Sequence, residues 1–171
     1  MAETSVCIGL IDPKSPTNVG AVMRAAGCYQ VAAVRYTGNR YDRAARFHTD
    51  TKNISRNIPL THVNNLLDDL PANTHIVCVE LVEGATALPV FQHPAHALYI
   101  FGPEDGSLSQ ELVDRADTVV YIPTIGCMNL AATVNVVLYD RLAKSGAAQG
   151  SDSLIRQSRD TNNKVTLSQS G

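Results

Sequence analysis

Residues 98–142, LYIFGPEDGSLSQELVDRADTVVYIPTIGCMNLAATVNVVLYDRL, contain two strand-like runs, each followed by a loop and then a helix-like run. The first strand-like run, Leu98 to Phe101, ends at Gly102-Pro103, a pair that cannot continue a central strand. The second, Thr118 to Ile122, ends at Pro123. Two consecutive strand-loop-helix units favour a parallel sheet, because parallel strands need crossover helices. Ligands of such sheets bind at the carboxyl ends of the strands, where both loops would lie.

The two helix-like runs have recognisable starts. Ser107 and Gln110 have the spacing of a capping box, which predicts a helix starting near Leu108. The second helix follows Cys127, because apolar residues recur there at helical spacing: Leu130, Val134, Val137, Leu138 and Leu142.

Three short motifs resemble those of a known family. Gly102-Pro103-Glu104-Asp105-Gly106 resembles the second motif of the SpoU/TrmH branch of the SPOUT methyltransferases, and Cys127-Met128-Asn129-Leu130 resembles its third. The first motif of that family, an Asn, a Gly two residues on and an Arg four beyond it, is matched by Asn18, Gly20 and Arg24. Each motif alone is a weak signal, but the three stand in family order over residues 5 to 142.

The resemblance implies a fold, a reaction and an assembly. The fold is a mainly parallel α/β sheet flanked by helices, with a trefoil knot near its C-terminus. The reaction is methylation of the ribose 2′-hydroxyl of RNA with S-adenosylmethionine as methyl donor and without a metal. The spelling Met-Asn-Leu is closest to members that modify tRNA, so tRNA is the favoured substrate and rRNA the alternative. The family works as homodimers with the sites by the subunit interface.

The resemblance also implies the residues of the site. The expected catalytic residues are Asn18, Arg24, Glu104 and Asn129. An adenosine moiety needs an apolar slot with backbone donors and acceptors at its edges. The residues expected to form this slot are Glu80, Leu81, Phe101, Gly102, Gly106, Tyr121, Ile122, Cys127 and Met128. Arg24 would reach the slot's entrance from its own subunit or from the other one.

The chemistry expected of these side chains differs. Asn18 and Arg24 would hold ribose and phosphate, and an electrostatic role suits Arg24 because a guanidinium keeps its proton until the pH exceeds about 12. The hydroxyl proton could pass to a substrate phosphate oxygen, to water or to Glu104. Asn129 would orient the loop or the substrate, and a simple helix cap is the alternative. Cys127 replaces the Ser usual in the family, and a thiol is a weaker hydrogen-bond donor.

Composition limits the class of protein. A chain of 171 residues with 44% apolar and 18% charged residues suits one globular domain. No apolar run is long enough to span a membrane, and an acidic residue near the N-terminus does not suit a secretory signal, so we expect a cytoplasmic protein. The cysteines are scattered without a Cys-x-x-Cys pair, which favours reduced thiols over a zinc site. His93 and His96 lack a further ligand at metal-binding spacing.

Charge is segregated along the chain. Residues 14–56 carry eight Lys or Arg against two Asp, whereas residues 57–140 carry one Arg against ten Asp or Glu. A basic segment in an acidic body suits a polyanion that docks on one face, although solvated surface charge is the alternative. Within it, arginines alternate with aromatic residues, a composition that fits RNA. The expected substrate-binding arginines are Arg40, Arg43 and Arg46.

The remaining elements follow from periodicity and turn residues. We expect a strand over 5–11, a helix capped by Thr17 or Asn18 and closed by Gly27, and a strand over 31–36. The stripe Val19, Val22, Met23 and Ala26 should be buried, with Arg24 off it. A helix over 61–70, a strand over 74–82 and a connecting loop over 84–96 follow. Residues 1–144 would form the methyltransferase domain and residues 145–171 a polar, mobile tail.

Two other functions compete with the methyltransferase. One is a non-catalytic RNA-binding protein that keeps the cofactor-binding knot but has lost turnover through Cys127. The other is a small-molecule enzyme on an ordinary doubly wound sheet. The Gly-x-Gly-x-x-Gly fingerprint of dinucleotide enzymes is absent from the sequence, which argues against nicotinamide or flavin chemistry.

Overall fold

The structure, a computed structural model, describes residues 4–46 and 57–168. In these ranges seven strands form one sheet in the order β3-β2-β1-β6-β4-β7-β5, and every strand pair is parallel. The strands are β1 Ser5–Leu10, β2 Ala33–Tyr36, β3 Leu60–His62, β4 His75–Val79, β5 Thr86–Ala87, β6 His96–Phe101 and β7 Thr118–Tyr121. The helices are α1 Pro16–Cys28, α2 Arg40–Ala45, α3 Gln110–Arg115, α4 Leu130–Lys144 and α5 Asp152–Ser158, with a 3₁₀ turn at Leu88–Val90. The predicted parallel α/β fold is confirmed.

The central strand β6 separates two apolar layers. Successive side chains of a strand point to opposite faces, so Leu98 and Ile100 face one layer while Tyr99 and Phe101 face the other. Helices α1 and α4 pack together over the Tyr99 face. Residues 63–70 and α3 cover the face of Leu98. The two layers cover both faces of the sheet and leave its carboxyl edge to the loops.

Helix α1 begins earlier than predicted. Ser15, not Thr17 or Asn18, is the N-cap, and its hydroxyl accepts a hydrogen bond from the backbone N–H of Asn18. Pro16 fits the first helical position because its missing N–H would be unpaired there anyway. The predicted buried stripe of α1 is confirmed, and Arg24 is exposed. The helix continues through Gly27 to Cys28. The side chain of Asn18 is therefore available to the site.

The helix predicted over 61–70 is wrong. Leu60–His62 instead forms β3, which pairs with Val34–Tyr36 of β2 at the edge of the sheet. This pairing gives backbone groups of β2 hydrogen-bond partners that a helix would not supply. Turns follow, with Asp69 in the left-handed region at φ +54°. The apolar residues that suggested a helix still pack on the sheet: Val63, Leu66, Leu67 and Leu70.

Smaller differences concern the ends of elements. The N-cap of α3 is Ser109 rather than Ser107, and β5 lies within the predicted connecting loop. Helix α2 lies in the basic segment, for which the sequence predicted no helix, and α5 lies in the predicted mobile tail with none of its residues buried. The division at residue 144 stays a prediction.

The order of the last strands brings three loops together. Strand β7 lies between β4 and β5, although β4 and β5 follow each other along the chain. The segment 80–85 therefore crosses the carboxyl end of β7. It meets the loop 102–109 after β6 and the loop 122–129 after β7. Among the helices of the described ranges, none has the length and apolar character needed to cross a membrane.

Candidate functional site

A cavity of about 280 Å³ lies where the three loops meet. This volume is close to the lower end of known ligand pockets, about 300–1,000 Å³. The sequence-predicted cofactor residues all line it: Glu80, Leu81, Phe101, Gly102, Gly106, Tyr121, Ile122, Cys127 and Met128. Three of the four expected catalytic residues line it as well: Asn18, Glu104 and Asn129. Segments that are far apart in sequence therefore surround one space.

Glu104 connects the second motif to the first. Its carboxylate accepts hydrogen bonds from the backbone N–H groups of Lys14 (3.0 Å) and Ser15 (3.1 Å) and from the side-chain amide of Asn18 (3.2 Å). Desolvation raises the pKa of Glu104, but these hydrogen bonds and one from its own N–H outweigh it, so the pKa lies below its ordinary value. Glu104 is therefore a charged acceptor at neutral pH and a weak base.

Asn18 and Asn129 connect the first motif to the third. The side-chain amide of Asn129 donates to Oδ1 of Asn18 over 3.1 Å. Oδ1 of Asn129 caps α4 by accepting from the N–H groups of Ala131 (2.9 Å) and Ala132 (3.3 Å). Asn129 is thus both a helix cap and a link in a chain of hydrogen bonds from Glu104 through Asn18. All three motifs are held by these side chains.

Glu80 holds the second loop from the side of β4. Its Oε2 accepts from the N–H of Leu108 (3.1 Å) and its Oε1 from the N–H of Leu81 (2.9 Å). The loop after β6 is therefore fixed at Glu104 and again at Leu108. Glu80 and Glu104 therefore both accept hydrogen bonds from backbone N–H groups at the cavity.

The wall of the cavity is mixed in character. Apolar side chains from β4, β6 and α4 contribute Val79, Phe101 and Leu130. Gly126 lies in the loop before α4 with φ +85°, a conformation that favours glycine. Cys127 is exposed, and its thiol has no hydrogen-bond partner among the residues that the structure describes. An apolar slot edged by backbone groups suits a nucleoside, so these residues fit the expected cofactor.

Arg24 does not line the cavity. It is exposed, six residues beyond Asn18 on α1, which corresponds to about 9 Å along the helix and a turn of about 240° around it. Its guanidinium forms no ion pair or hydrogen bond within 4–46 and 57–168. Arg24 therefore lies outside the group of residues that the cavity brings together in one chain.

The three arginines expected to bind RNA lie on or beside α2. Arg40 is held by Asp12 and Asp105, whereas Arg43 donates to Oδ1 of Asn39 over 2.6 Å and Arg46 is exposed at the end of the helix. The rest of the basic segment that the sequence predicted to bind RNA, residues 47–56, lies outside the described residues. Substrate binding by these arginines stays a prediction.

Sequence reasoning missed Asp12 and Thr133. Asp12 directly follows the strand predicted over 5–11 and has no predicted role, yet its backbone has φ +41° and its carboxylate lies 3.0 Å from Nε of Arg40. Thr133 lines the cavity one turn into α4 and donates to the backbone oxygen of Asn129 (2.9 Å). The four-residue spacing from Asn129 to Thr133 on a helix could have indicated the second of these, because such residues share a face.

Fold and site together define an α/β protein with a nucleoside-sized cavity at the carboxyl edge of a parallel sheet. The chain belongs to the SpoU rRNA Methylase family, whose sequence profile matches residues 5–139. No curated protein matches the sequence.

Solved structures share the fold at low sequence identity. The SpoU methyltransferase AviRb from Streptomyces viridochromogenes, in complex with AdoMet, is 18% identical with a TM-score of 0.70, over 87% of this chain and 61% of AviRb. This chain thus spans about three fifths of AviRb's length. A structure that addresses the 2-OH methylation of C/U34 on tRNA is 21% identical with a TM-score of 0.68, and the match covers 84% of this chain and 92% of that one. The A. aeolicus TrmH/SpoU tRNA modifying enzyme is 16% identical with a TM-score of 0.64, and the match covers 90% of this chain and 85% of the enzyme.

Proposed function

We propose that this chain transfers a methyl group from S-adenosylmethionine to the ribose 2′-hydroxyl of RNA in the cytoplasm, with tRNA as the favoured substrate and rRNA as the alternative. The observation that carries the proposal is one cavity lined by residues of all three motifs, which the hydrogen bonds from Asn18 to Glu104 and from Asn129 to Asn18 join to one another. Family membership supports the reaction. AviRb, a structural neighbour, was solved with AdoMet, and another neighbour is a tRNA modifying enzyme.

The cofactor's contribution would be a methyl group on a positively charged sulfur, open to displacement by an oxygen nucleophile. The loops 80–85, 102–109 and 122–129 would hold its nucleoside, with Phe101 and Ile122 giving apolar contact. Asn18 and Asn129 would direct the ribose, because their amides border the cavity. Positioning of this kind can supply much of the rate of an in-line displacement.

Glu104 acts in this scheme by holding the loop rather than by taking the proton. Its carboxylate already accepts three hydrogen bonds from Lys14, Ser15 and Asn18, and its lowered pKa makes it a weak base. The hydroxyl proton would therefore pass to a substrate phosphate oxygen or to water as the new carbon–oxygen bond forms. Arg24 would stabilise charge on the RNA at the entrance.

The position of Arg24 supports a homodimer in which each site receives this arginine from the second copy. Arg24 is exposed on α1 and outside its own chain's cavity. Large apolar side chains are exposed on the neighbouring α4, namely Tyr139 (62%) and Leu142 (38%). Mixing an Arg24→Ala chain with an Asn129→Ala chain tests this arrangement, since a shared site would restore activity in mixed dimers. Sedimentation velocity would give the state of assembly.

We also propose the family's trefoil knot. It is supported by the position of β7 between β4 and β5, two strands that the short segment 80–85 already connects. Strand β7, which comes later in the chain, would have passed under the segment 80–85 to reach its place between β4 and β5. Slow refolding that depends little on protein concentration would agree with a threading step.

Bulk tRNA and rRNA incubated with labelled donor test the activity. Alkaline hydrolysis then locates the label, because a methylated 2′-oxygen cannot cleave the chain and keeps the label in dinucleotides. We expect label in tRNA dinucleotides, reduced roughly 100-fold in Arg24→Ala, as for the loss of a charge-stabilising group. Arg115→Ala, another exposed helical arginine, should match the wild type. Label in mononucleotides, or no label from either RNA, would contradict the proposal.

Cys127 favours one alternative, a protein that binds cofactor and RNA without turnover. Its thiol lies at the cavity where the family usually has a hydroxyl. Donor binding without any labelled ribose, restored to turnover by Cys127→Ser, would identify this case.

A further inference from the structure

Arg40, Asp12 and Asp105 form a cluster beside the cavity. Nη1 and Nη2 of Arg40 donate to Oδ2 and Oδ1 of Asp105 over 2.8 and 3.0 Å. Nη2 also donates to the backbone oxygen of Asp12 over 2.6 Å. We propose that Arg40 is a positioning residue that clamps the loop 102–109 against the loop after β1, and is not a contact to RNA. The inference rests on the proposed function, because that loop is the proposed cofactor loop.

The contacts of Arg40 are directional. Two parallel hydrogen bonds to one carboxylate fix the orientation of both groups, which a lysine could not do. Nε of Arg40 lies 3.0 Å from Oδ2 of Asp12 and is shielded from solvent, but its N–H does not aim at this oxygen. This contact is therefore an ion pair, while the bonds to Asp105 and to the Asp12 backbone give the geometry.

The backbone around Asp12 is shaped for this cluster. Asp12 has a left-handed conformation, and its N–H donates to Oγ1 of Thr37 over 3.2 Å. Gly38 has φ +76°, and a Cβ at this position would lie 2.0 Å from Oδ1 of Asp12. Only glycine leaves room for the carboxylate that faces Arg40. The left-handed backbone of Asp12 and the glycine required at position 38 indicate that the surrounding structure specifies the Arg40 contacts, which a chance surface ion pair would not need.

The clamp acts on the loop that lines the cavity. Asp105 follows Glu104, whose carboxylate binds the N–H groups of Lys14 and Ser15. Adjacent side chains of the loop are thus held to the segment after β1 in two ways: Glu104 binds Lys14 and Ser15 directly, and Asp105 is joined to Asp12 through Arg40. Gly102, Pro103, Glu104 and Gly106 of the same loop line the cavity. Loss of the Arg40 contacts would let this wall shift.

The charges of the cluster do not suit phosphate binding. Arg40 is surrounded by the carboxylates of Asp12 and Asp105, so the cluster carries a net negative charge. A phosphate would have to displace a bidentate carboxylate in order to bind. Arg43, on the same helix, contacts only a neutral amide among the described residues. Arg43 on α2 and Arg46 just after it therefore remain the better candidates for RNA contact.

Arg40→Gln and Arg43→Gln form the test, because both remove one positive charge from α2. Calorimetry would give the Kd for S-adenosylmethionine, steady-state assays the KM for tRNA, and hydrogen exchange the protection of residues 12–18 and 103–108. We expect Arg40→Gln to weaken cofactor binding about tenfold, the effect of losing about 1.4 kcal/mol, and to speed exchange in both segments. Arg43→Gln should leave cofactor affinity and exchange unchanged and raise the KM for tRNA.

Asp105→Asn should reproduce part of the Arg40→Gln effect, and the double variant should be no worse than Arg40→Gln alone, because Arg40→Gln already removes the interaction with Asp105. Arg40→Lys, which keeps the charge and loses the fork, should restore only part of the affinity. If Arg40→Gln unfolds, Gly38→Ala disturbs Asp12 instead, with the same expected changes.

The outcomes separate the clamp from the proposed function. A raised KM for tRNA in Arg40→Gln, with unchanged cofactor Kd and unchanged exchange, would overturn the clamp and restore the RNA-contact role. Failure of the wild type to bind S-adenosylmethionine would overturn the proposed function, while hydrogen exchange would still decide whether Arg40 orders the loop.

Discussion

Two groups of polar side chains join distant parts of this chain, one around Glu104 and one around Tyr99. The Glu104 group is exposed at the carboxyl edge of the sheet and borders the cavity. The Tyr99 group lies beneath α4, where Tyr99 is 0% exposed. Its residues do not line the cavity that Glu104 borders. Both groups are hydrogen-bonded networks of similar side chains, but only the Glu104 group borders the cavity. We therefore assign the Glu104 group to the site and the Tyr99 group to the stability of the fold.

The Tyr99 group fixes the C-terminal half of α4. The hydroxyl of Tyr99 lies 2.6 Å from Nδ1 of His93 and accepts from Arg141 over 3.1 Å. Nε2 of His93 lies 2.7 Å from Oδ2 of Asp140, which also pairs with Lys144 at 2.8 Å. Arg141 and Lys144 further donate to backbone oxygens of the segment before β6. The helix that begins at the cavity is therefore anchored at its far end.

The tautomer of His93 follows from its partners. Asp140 can only accept, so Nε2 carries the proton and Tyr99 donates to Nδ1. Burial, together with the positive charges of Arg141 and Lys144, lowers the pKa of His93 more than the neighbouring Asp140 raises it. The contact with Asp140 is thus a hydrogen bond from a neutral imidazole at neutral pH rather than an ion pair.

Glu104→Ala should give the largest effect and affect function alone. We expect methyl transfer to fall by roughly 100-fold, because the loop 102–109 loses the three hydrogen bonds that hold it to residues 14–18, and a displacement of about 1 Å at a site can cost about 100-fold in rate. The free energy of unfolding should change little, since the freed donors can bind water. Labelled-donor assays and urea unfolding would measure both, with Glu83→Ala, exposed in the loop 80–85, as control. A large loss of stability would remove the distinction between the two groups.

Tyr99→Phe should give the reverse result. Removing the hydroxyl leaves His93 and Arg141 with an unpaired group beneath α4, which should lower the free energy of unfolding by about 1–3 kcal/mol. Cofactor affinity should be unchanged. Urea unfolding of this variant beside Tyr139→Phe, whose ring is 62% exposed, provides the comparison. A variant that keeps its stability and loses cofactor binding would show that the Tyr99 group belongs to the site.

A smaller effect should appear as a pH dependence of stability. The pKa of His93 is lowered in the folded chain, so its contribution is fully present above the unfolded pKa of about 6.5 and is lost as the pH falls toward the folded pKa. The free energy of unfolding should therefore decrease from pH 7.5 to pH 5, and less steeply in His93→Gln. His96→Gln is the control. Equal slopes for wild type and His93→Gln would contradict the assignment of a neutral, buried His93.

The smallest effect is expected at Cys127. Its exposed thiol has no partner in the described part of the chain, so Cys127→Ser should change the Kd for S-adenosylmethionine by less than about twofold. Calorimetry would measure the change. A larger shift would show that the side chain, and not the backbone of the loop 122–129, meets the cofactor.

The sequence predicted most of the sheet because its strands are continuous apolar runs with clear turn residues. It misplaced 61–70, where one apolar stripe fits a helix or an edge strand followed by turns, and only pairing with β2 decides between them. The predicted parallel topology also placed the loops that carry the motifs at one edge of the sheet, as the structure shows. It could not foresee that Glu104 reaches Lys14 and Ser15 or that Arg40 reaches Asp105, since these contacts depend on how loops fold over the sheet.

The most direct test is to titrate three proteins with S-adenosylmethionine: wild type, Glu104→Ala and Tyr99→Phe. The account predicts one binding site per chain in the wild type, the same Kd in Tyr99→Phe, and a Kd at least tenfold weaker in Glu104→Ala. Equal affinities for Glu104→Ala and the wild type would contradict the claim that the loops held by Glu104 form the cofactor site.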